Sequence, residues 1–259
     1  MLLPRVLTAL VGIPLLLFLI HWGGLTFSFF VAAVSALALY EYGVILQLGD
    51  KPCQRLGAVI CGSALALCAA LAGPLGLVAS AAVAWVMLGE MFGREHSLDR
   101  AALTLFGALF LGWMPAHLAL IRELRPDGER FTFMLVLSVW AMDTAAYAAG
   151  TVWGRHKLAE GLSPKKTWEG AAAGFAAALA VVLIFRGLYP AVLSLTGALL
   201  LGALVGIAGQ ISDLAESLVK RAVGAKDSGA LLPGHGGVMD RFDSFILAAP
   251  AVYYFLALR

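Results

Sequence analysis

The densest polar stretch of the chain reads Ser212-Asp213-Leu214-Ala215-Glu216-Ser217-Leu218-Val219-Lys220-Arg221. On a helix, Asp213, Glu216, Ser217 and Lys220 fall at i, i+3, i+4 and i+7, which is one face. Lys226-Asp227-Ser228-Gly229 and Pro233-Gly234-His235-Gly236-Gly237 follow, and then Asp240-Arg241-Phe242-Asp243, whose two aspartates also share a face. The glycines between 224 and 237 permit a backbone that turns tightly and approaches a ligand closely. Carboxylates on neighbouring helix ends can hold a divalent cation through oxygen, and lysines and arginines clamp phosphate oxygens. Together they suit nucleotide-phosphate chemistry: metal neutralises a triphosphate, and fixed cations stabilise the charge that develops in the transition state. The sequence shows no Ser-His-Asp arrangement, and this chemistry needs none. A phosphate monoester is largely ionised near neutral pH, so as a nucleophile it needs alignment more than deprotonation.

The elements that position these groups must lie in lipid. Apolar residues make up 61% of the 259 and charged residues only 13%, with a mean hydropathy of +0.90; a soluble domain is nearer 45–50% apolar and a quarter charged. Runs long enough to approach the ~20 residues of a membrane helix lie near 6–21, 25–43, 56–72, 74–92, 101–121, 131–149, 169–186, 191–212 and 243–258. The expected fold is all-α, a polytopic membrane protein of about nine transmembrane helices. The pair within 56–92 is the least clearly divided, because only Ala72-Gly73-Pro74 separates its members. With the N-terminus cytosolic, 13 of the 18 lysines and arginines fall on inside segments, as the positive-inside rule requires, and the C-terminus lies outside. The first run is expected to be a retained anchor, since His21-Trp22-Gly23-Gly24 offers no small-residue cleavage site. Two polar cytosolic loops stand out, 150–168 and 213–242. The chain is expected to divide into N-terminal transmembrane helices (1–125) and a C-terminal catalytic region (126–259) within one integral membrane unit.

Composition excludes other classes. Net charge is +2 with basic residues scattered, which gives no nucleic-acid footprint. Cys53, Cys61 and Cys68 form no CxxC pair and read as packing thiols. Acids at membrane depth are costly and therefore informative. Asp143 is the most telling, with apolar sequence before it, whereas Glu41 and Glu90 read as interfacial and His117 as a packing residue. Gly170/Gly174 and Gly202/Gly206 read as close helix contacts. No strong internal repeat is visible, which weakens a secondary-transporter reading.

The run from Ser217 to Asp243, SLVKRAVGAKDSGALLPGHGGVMDRFD, resembles the signature of the phosphatidate cytidylyltransferase (CDP-diacylglycerol synthase) family without a mismatch. Its Ser, Lys-Arg, Lys-Asp, His-Gly-Gly, Asp-Arg and final Asp all stand at the family's spacing. The first loop is similar to the same family at Met142-Asp143-Thr144-Ala145-Ala146-Tyr147, Gly154-Arg155-His156-Lys157-Leu158-Ala159 and Ser163-Pro164-Lys165-Lys166-Thr167-Trp168-Glu169-Gly170. Three departures are visible. Ala145 replaces a usual Gly, Glu160 a usual Pro, and Ser212 a Gly that commonly precedes Asp213. The specific likeness covers about 140–244; before that it is general.

The resemblance implies that CTP and phosphatidic acid, drawn from the membrane lipids, yield CDP-diacylglycerol and pyrophosphate for phospholipid biosynthesis, with Mg2+ required. Asp213, Asp240 and Asp243 are then the expected metal cluster, with Asp143 or Glu216 supporting. Lys220, Arg221, Lys226 and Arg241 would contact triphosphate or headgroup, with Lys165, Lys166, Ser217, Asp227, His235, Gly236 and Gly237 as further substrate contacts. His235 could equally shape the turn, and Asp227 could pair with Lys226 or Arg221. The implied place is a bacterial inner membrane with the site facing the cytosol, and the small-residue helix faces would permit a homodimer. The neighbouring alternative is a CTP-dependent transferase or kinase acting on another lipid; from a different class, a secondary transporter.

Overall fold

The computed structural model describes residues 3–231, Gly234 and residues 236–258. Every apolar run is helical there: α1 (Leu3–Trp22), α2 (Gly24–Leu48), α3 (Arg55–Ala70), α4 (Leu75–Met91), α5 (Leu98–Gly107) continuing through a π-helical segment (Ala108–Trp113) into α6 (Met114–Glu123), α7 (Gly128–Val152), α8 (Trp168–Leu188), α9 (Leu195–Ala222) and α11 (Phe245–Ala257), with the short α10 (Met239–Phe242) before the last. Gly24–Leu48, Leu98–Glu123, Gly128–Val152, Trp168–Leu188 and Leu195–Ala222 are long and apolar enough to cross a membrane. At 1.5 Å per residue, 25 residues span about 37 Å, against about 30 Å of hydrocarbon. Thr8–Trp22, Arg55–Ala70 and Leu75–Met91 are apolar but shorter. These lengths fit a helical membrane protein.

The chain is mostly helical, as expected, with one short exception. The first polar loop contains an antiparallel hairpin, β1 (Lys157–Ala159) with β2 (Ser163–Thr167), pairing Lys157 with Thr167 and Ala159 with Ser163 around an irregularity. Residues this polar carry no alternating apolar pattern, so nothing in the loop signals strands.

The chain forms two compact units, one of Met1–Glu123 with Val219–Phe242, the other of Leu124–Leu218 with Asp243–Arg259. In the first, α3 packs on α2, α4, α6 and the π-helical segment. One approach is glycine on glycine: a Cβ on Gly112 would strike the Gly62 backbone. Glu90, at the end of α4, is buried, 5% exposed. Arg100 grips it with two bonds of 2.8 and 2.7 Å, and Gln54 Nε2 donates at 2.7 Å. His117 is buried as expected, its Nδ1 3.0 Å from the Met114 carbonyl.

In the second unit α7 packs along α8. A Cβ on Gly174 would press on Met142 and Ala146 of α7, and one on Gly206 of α9 would press on Phe175 of α8. The small-residue spacings are therefore helix contacts. Thr167 ends β2 and caps α8, its buried hydroxyl accepting the Gly170 N–H at 3.1 Å, a bond typically worth about 1 kcal/mol.

Candidate active site

α9 is the helix on which the site is built. Ser194 accepts the Gly197 N–H at 3.0 Å at its start. At its end Gly224 adopts φ +70°, and the Ala225 N–H returns to the Lys220 carbonyl at 2.9 Å. A left-handed residue there suits glycine, and it stops the helix just after Lys220 and Arg221.

Within the second unit, oxygens of Asp213, Glu216 and Asp243 all lie within 4.8 Å of one another. Asp213 and Glu216 meet because they stand at i, i+3 on α9, and Asp243 arrives at the entry to α11. Glu216 is fully buried and Asp213 and Asp243 half-buried. Lys166, at the end of the hairpin, places its ammonium 2.7 Å from Asp213 Oδ2. Ser212 fastens the arrangement: its hydroxyl donates to the Asp243 carbonyl and accepts the Leu247 N–H at 3.0 Å. This is one of the three residues that depart from the family pattern, and glycine there would make neither bond. Asp143 lies beside the same turn, 3.4 Å from the Ser244 hydroxyl. An all-oxygen carboxylate set of this size is one that a divalent metal can occupy.

Asp240, expected among the ligands, belongs to the first unit and is otherwise engaged. Its Oδ1 takes the Lys220 ammonium at 2.6 Å, while its Oδ2 accepts the Ser228 N–H at 3.0 Å, the Ser228 hydroxyl at 2.9 Å and the Gly237 N–H at 3.2 Å. Burial pushes this carboxyl up, but the lysine and the Ser228 donors outweigh it and hold it below the usual carboxylate range. Among the described residues, the acids brought together as a group of three are Asp213, Glu216 and Asp243.

The remaining expected residues are distributed as follows. Arg221, Lys226, Asp227, Arg241 and Lys165 are exposed, and Ser217 is half-buried. Arg221 donates to the Ala225 carbonyl at 3.1 Å. Gly236 has φ +86°, in the left-handed region. Gly237 is needed for a different reason: a Cβ there would collide with Ser228 Oγ and crowd the Glu41 carboxylate. His235 lies outside the described residues. A cavity of about 550 Å³ between α7 and α8, lined by Arg130, Phe133, Phe185 and Tyr189 among others, sits toward the helix ends remote from Asp143 and includes none of these acids.

Comparison with known proteins accords with the motif. A family model described as the cytidylyltransferase family matches residues 3–259. The chain belongs to the cytidylyltransferase family. A relative from Brucella suis biovar 1, named phosphatidate cytidylyltransferase, is 35% identical over 258 residues, covering 98% of this chain and 93% of its own. Proteins of the same name from a Synechocystis species and from Bacillus subtilis are 32% and 31% identical, covering 98% of this chain and 96% and 97% of theirs. The family likeness thus extends through the N-terminal helices, where the sequence showed no motif.

Two residues of this family member escaped the sequence reading. Glu41 was read as interfacial and given no partner; it is 2% exposed and accepts three bonds from the glycine-rich loop. Ser228 was quoted within a motif but given no role, and it contacts two carboxylates. A buried acid in an otherwise apolar helix is the signal that could have found Glu41.

Proposed function

We propose that this protein is a phosphatidate cytidylyltransferase, joining CMP from CTP to phosphatidic acid and releasing pyrophosphate. The observation that carries the reading is the Asp213–Glu216–Asp243 cluster, set on the helix that continues into Lys220 and Arg221. One phosphate oxygen of phosphatidic acid attacks the α-phosphorus of CTP, and the bond to the bridging oxygen of the pyrophosphate breaks.

Asp213, Glu216 and Asp243 would hold Mg2+, which when bound neutralises phosphate oxygens and makes the α-phosphorus more electrophilic. Lys166 holds Asp213 in place, and Ser212 fixes the backbone that presents Asp243. Asp143 supports the same turn through Ser244. Lys220, steadied by Asp240, together with Arg221, Lys226 and Arg241, meets the triphosphate and the lipid phosphate. Lys165, Ser217, Asp227, His235 and Gly236 complete the substrate contacts. The relatives' names favour phosphatidate over another lipid acceptor. The enzyme sits in the bacterial inner membrane with nine crossings and its site toward the cytosol.

The test is turnover by purified protein with labelled CTP and phosphatidic acid, with and without magnesium. Formation of CDP-diacylglycerol that stops on chelation supports the reading. Turnover of CTP only with a different lipid acceptor, or none at all, overturns it.

A further inference from the structure

Glu41 lies on α2, seven residues before the end of that helix, and is 2% exposed. A carboxylate in such a place needs strong compensation. Among the described residues its bonds come from one loop: the Val238 N–H reaches Oε1 at 3.0 Å, and the Met239 N–H and Ser228 hydroxyl reach Oε2 at 2.9 and 3.2 Å. These donors stand ten residues apart in sequence and bracket the glycine-rich stretch. The loop backbone is shaped to receive the acid. A Cβ on Gly229 would collide with Glu41 Oε1, and a Cβ on Gly237 would collide with Ser228 Oγ and Glu41 Oε2. Ser228 then links Glu41 to Asp240, because its single hydroxyl proton can serve either carboxylate, at 3.2 or 2.9 Å. Asp240 in turn holds Lys220.

We propose that Glu41 is a positioning residue that closes the 228–239 loop at its two ends and, through Ser228 and Asp240, sets Lys220 for the nucleotide. The loop clamp stands on this geometry alone; its consequence for CTP rests on the cytidylyltransfer reading. Four protein donors gather on Glu41 and Asp240 from the loop backbone, so the acid acts on the loop and not on the packing of α2 against its neighbours.

The experiment uses the full chain and two variants. Glu41→Gln keeps the volume but loses the charge and turns an amide donor toward an N–H. Gly237→Ala leaves the acid in place and separates it from the loop. Losing a hydrogen bond to a charged group should raise amide exchange at Ser228, Val238 and Met239 by about tenfold or more. With the clamp open, KM for CTP should rise about tenfold while kcat falls less. Glu41→Asp, which keeps the charge on a shorter arm, should recover part of both. Unchanged exchange at these amides in both Glu41→Gln and Gly237→Ala overturns the clamp. A fall in thermal stability with unchanged KM and exchange assigns Glu41 a purely structural role and overturns it equally. Should the wild type fail to use CTP and phosphatidic acid, the proposed function falls, while the exchange comparison still decides the clamp.

Discussion

Three carboxylates within 4.8 Å of one another concentrate negative charge in one place. Lys166 offsets part of that charge at Asp213, and a divalent cation would offset the rest. Replacing Asp213 or Asp243 with Asn keeps the shape and removes one charge, so turnover should fall by at least about a hundredfold while circular dichroism and size-exclusion behaviour stay as in the wild type. The basic residues should separate by burial. Lys220 and Asp240 have side chains only 12% and 9% exposed. Lys220→Ala therefore leaves an unpaired buried carboxylate, a change that typically costs about 3–5 kcal/mol, and thermal unfolding should register it along with lost activity. Arg221→Ala and Lys226→Ala, at exposed positions, should lose about 10–150-fold in rate, the worth of one charge-assisted phosphate contact, with unfolding unchanged. The Asp240 carboxyl is held below its ordinary value. Its contribution to stability is thus fully present above the unfolded value near pH 4 and is lost as pH falls through the lower folded value. Asp240→Asn should flatten that acid limb, as measured by thermal unfolding between about pH 5 and 3.

At the scale of elements, the sequence was most legible where a physical period dominates. Each apolar run became a helix, and the glycine pairs on α8 and α9 became contacts. Asp213 and Glu216 were readable as neighbours because helical spacing puts them on one face. The hairpin at 157–167 was not readable, since strands this short and polar owe their pairing to the Thr167 cap and the α8 start beside them. Glu41 was not readable for a related reason: its partners lie 187 to 198 residues away, and no local pattern announces them. The π-helical segment was not announced either, although its Gly112 packs against Gly62. These contacts give a measurable prediction for the second unit. Gly174→Leu drives a branched side chain against Met142 and Ala146, on the helix that carries Asp143. Overpacking of this kind costs about 1–3 kcal/mol. The variant should unfold at lower temperature than the wild type, and a Gly187→Leu control, which meets open space, should not.

For the whole molecule, the constraint is that the two proposed substrates come from different phases. CTP arrives through water and phosphatidic acid through the bilayer, so the phosphates can meet only at the membrane–water boundary. The candidate residues obey this requirement in sequence. Asp213 through Arg221 end α9, Asp243 precedes α11, and Lys165 and Lys166 precede α8, so all stand at helix ends. The proposed boundary rests on charge: nine crossings with a cytosolic N-terminus would put 13 of 18 lysines and arginines inside. On that proposal both polar loops face the cytosol, where CTP is available, and the C-terminus lies on the other side. Reporter insertions within residues 150–168 and 224–231 should give a cytosolic signal, and a fusion after Arg259 should give an external one. Loops on opposite sides of the membrane would separate the hairpin's Lys166 from Asp213 and is incompatible with their 2.7 Å pair. A cytosolic signal from the C-terminal fusion, with both loops still cytosolic, would instead remove or add one crossing. The last helix, Phe245–Ala257, is the place to look for it, because its 13 residues reach only about 20 Å.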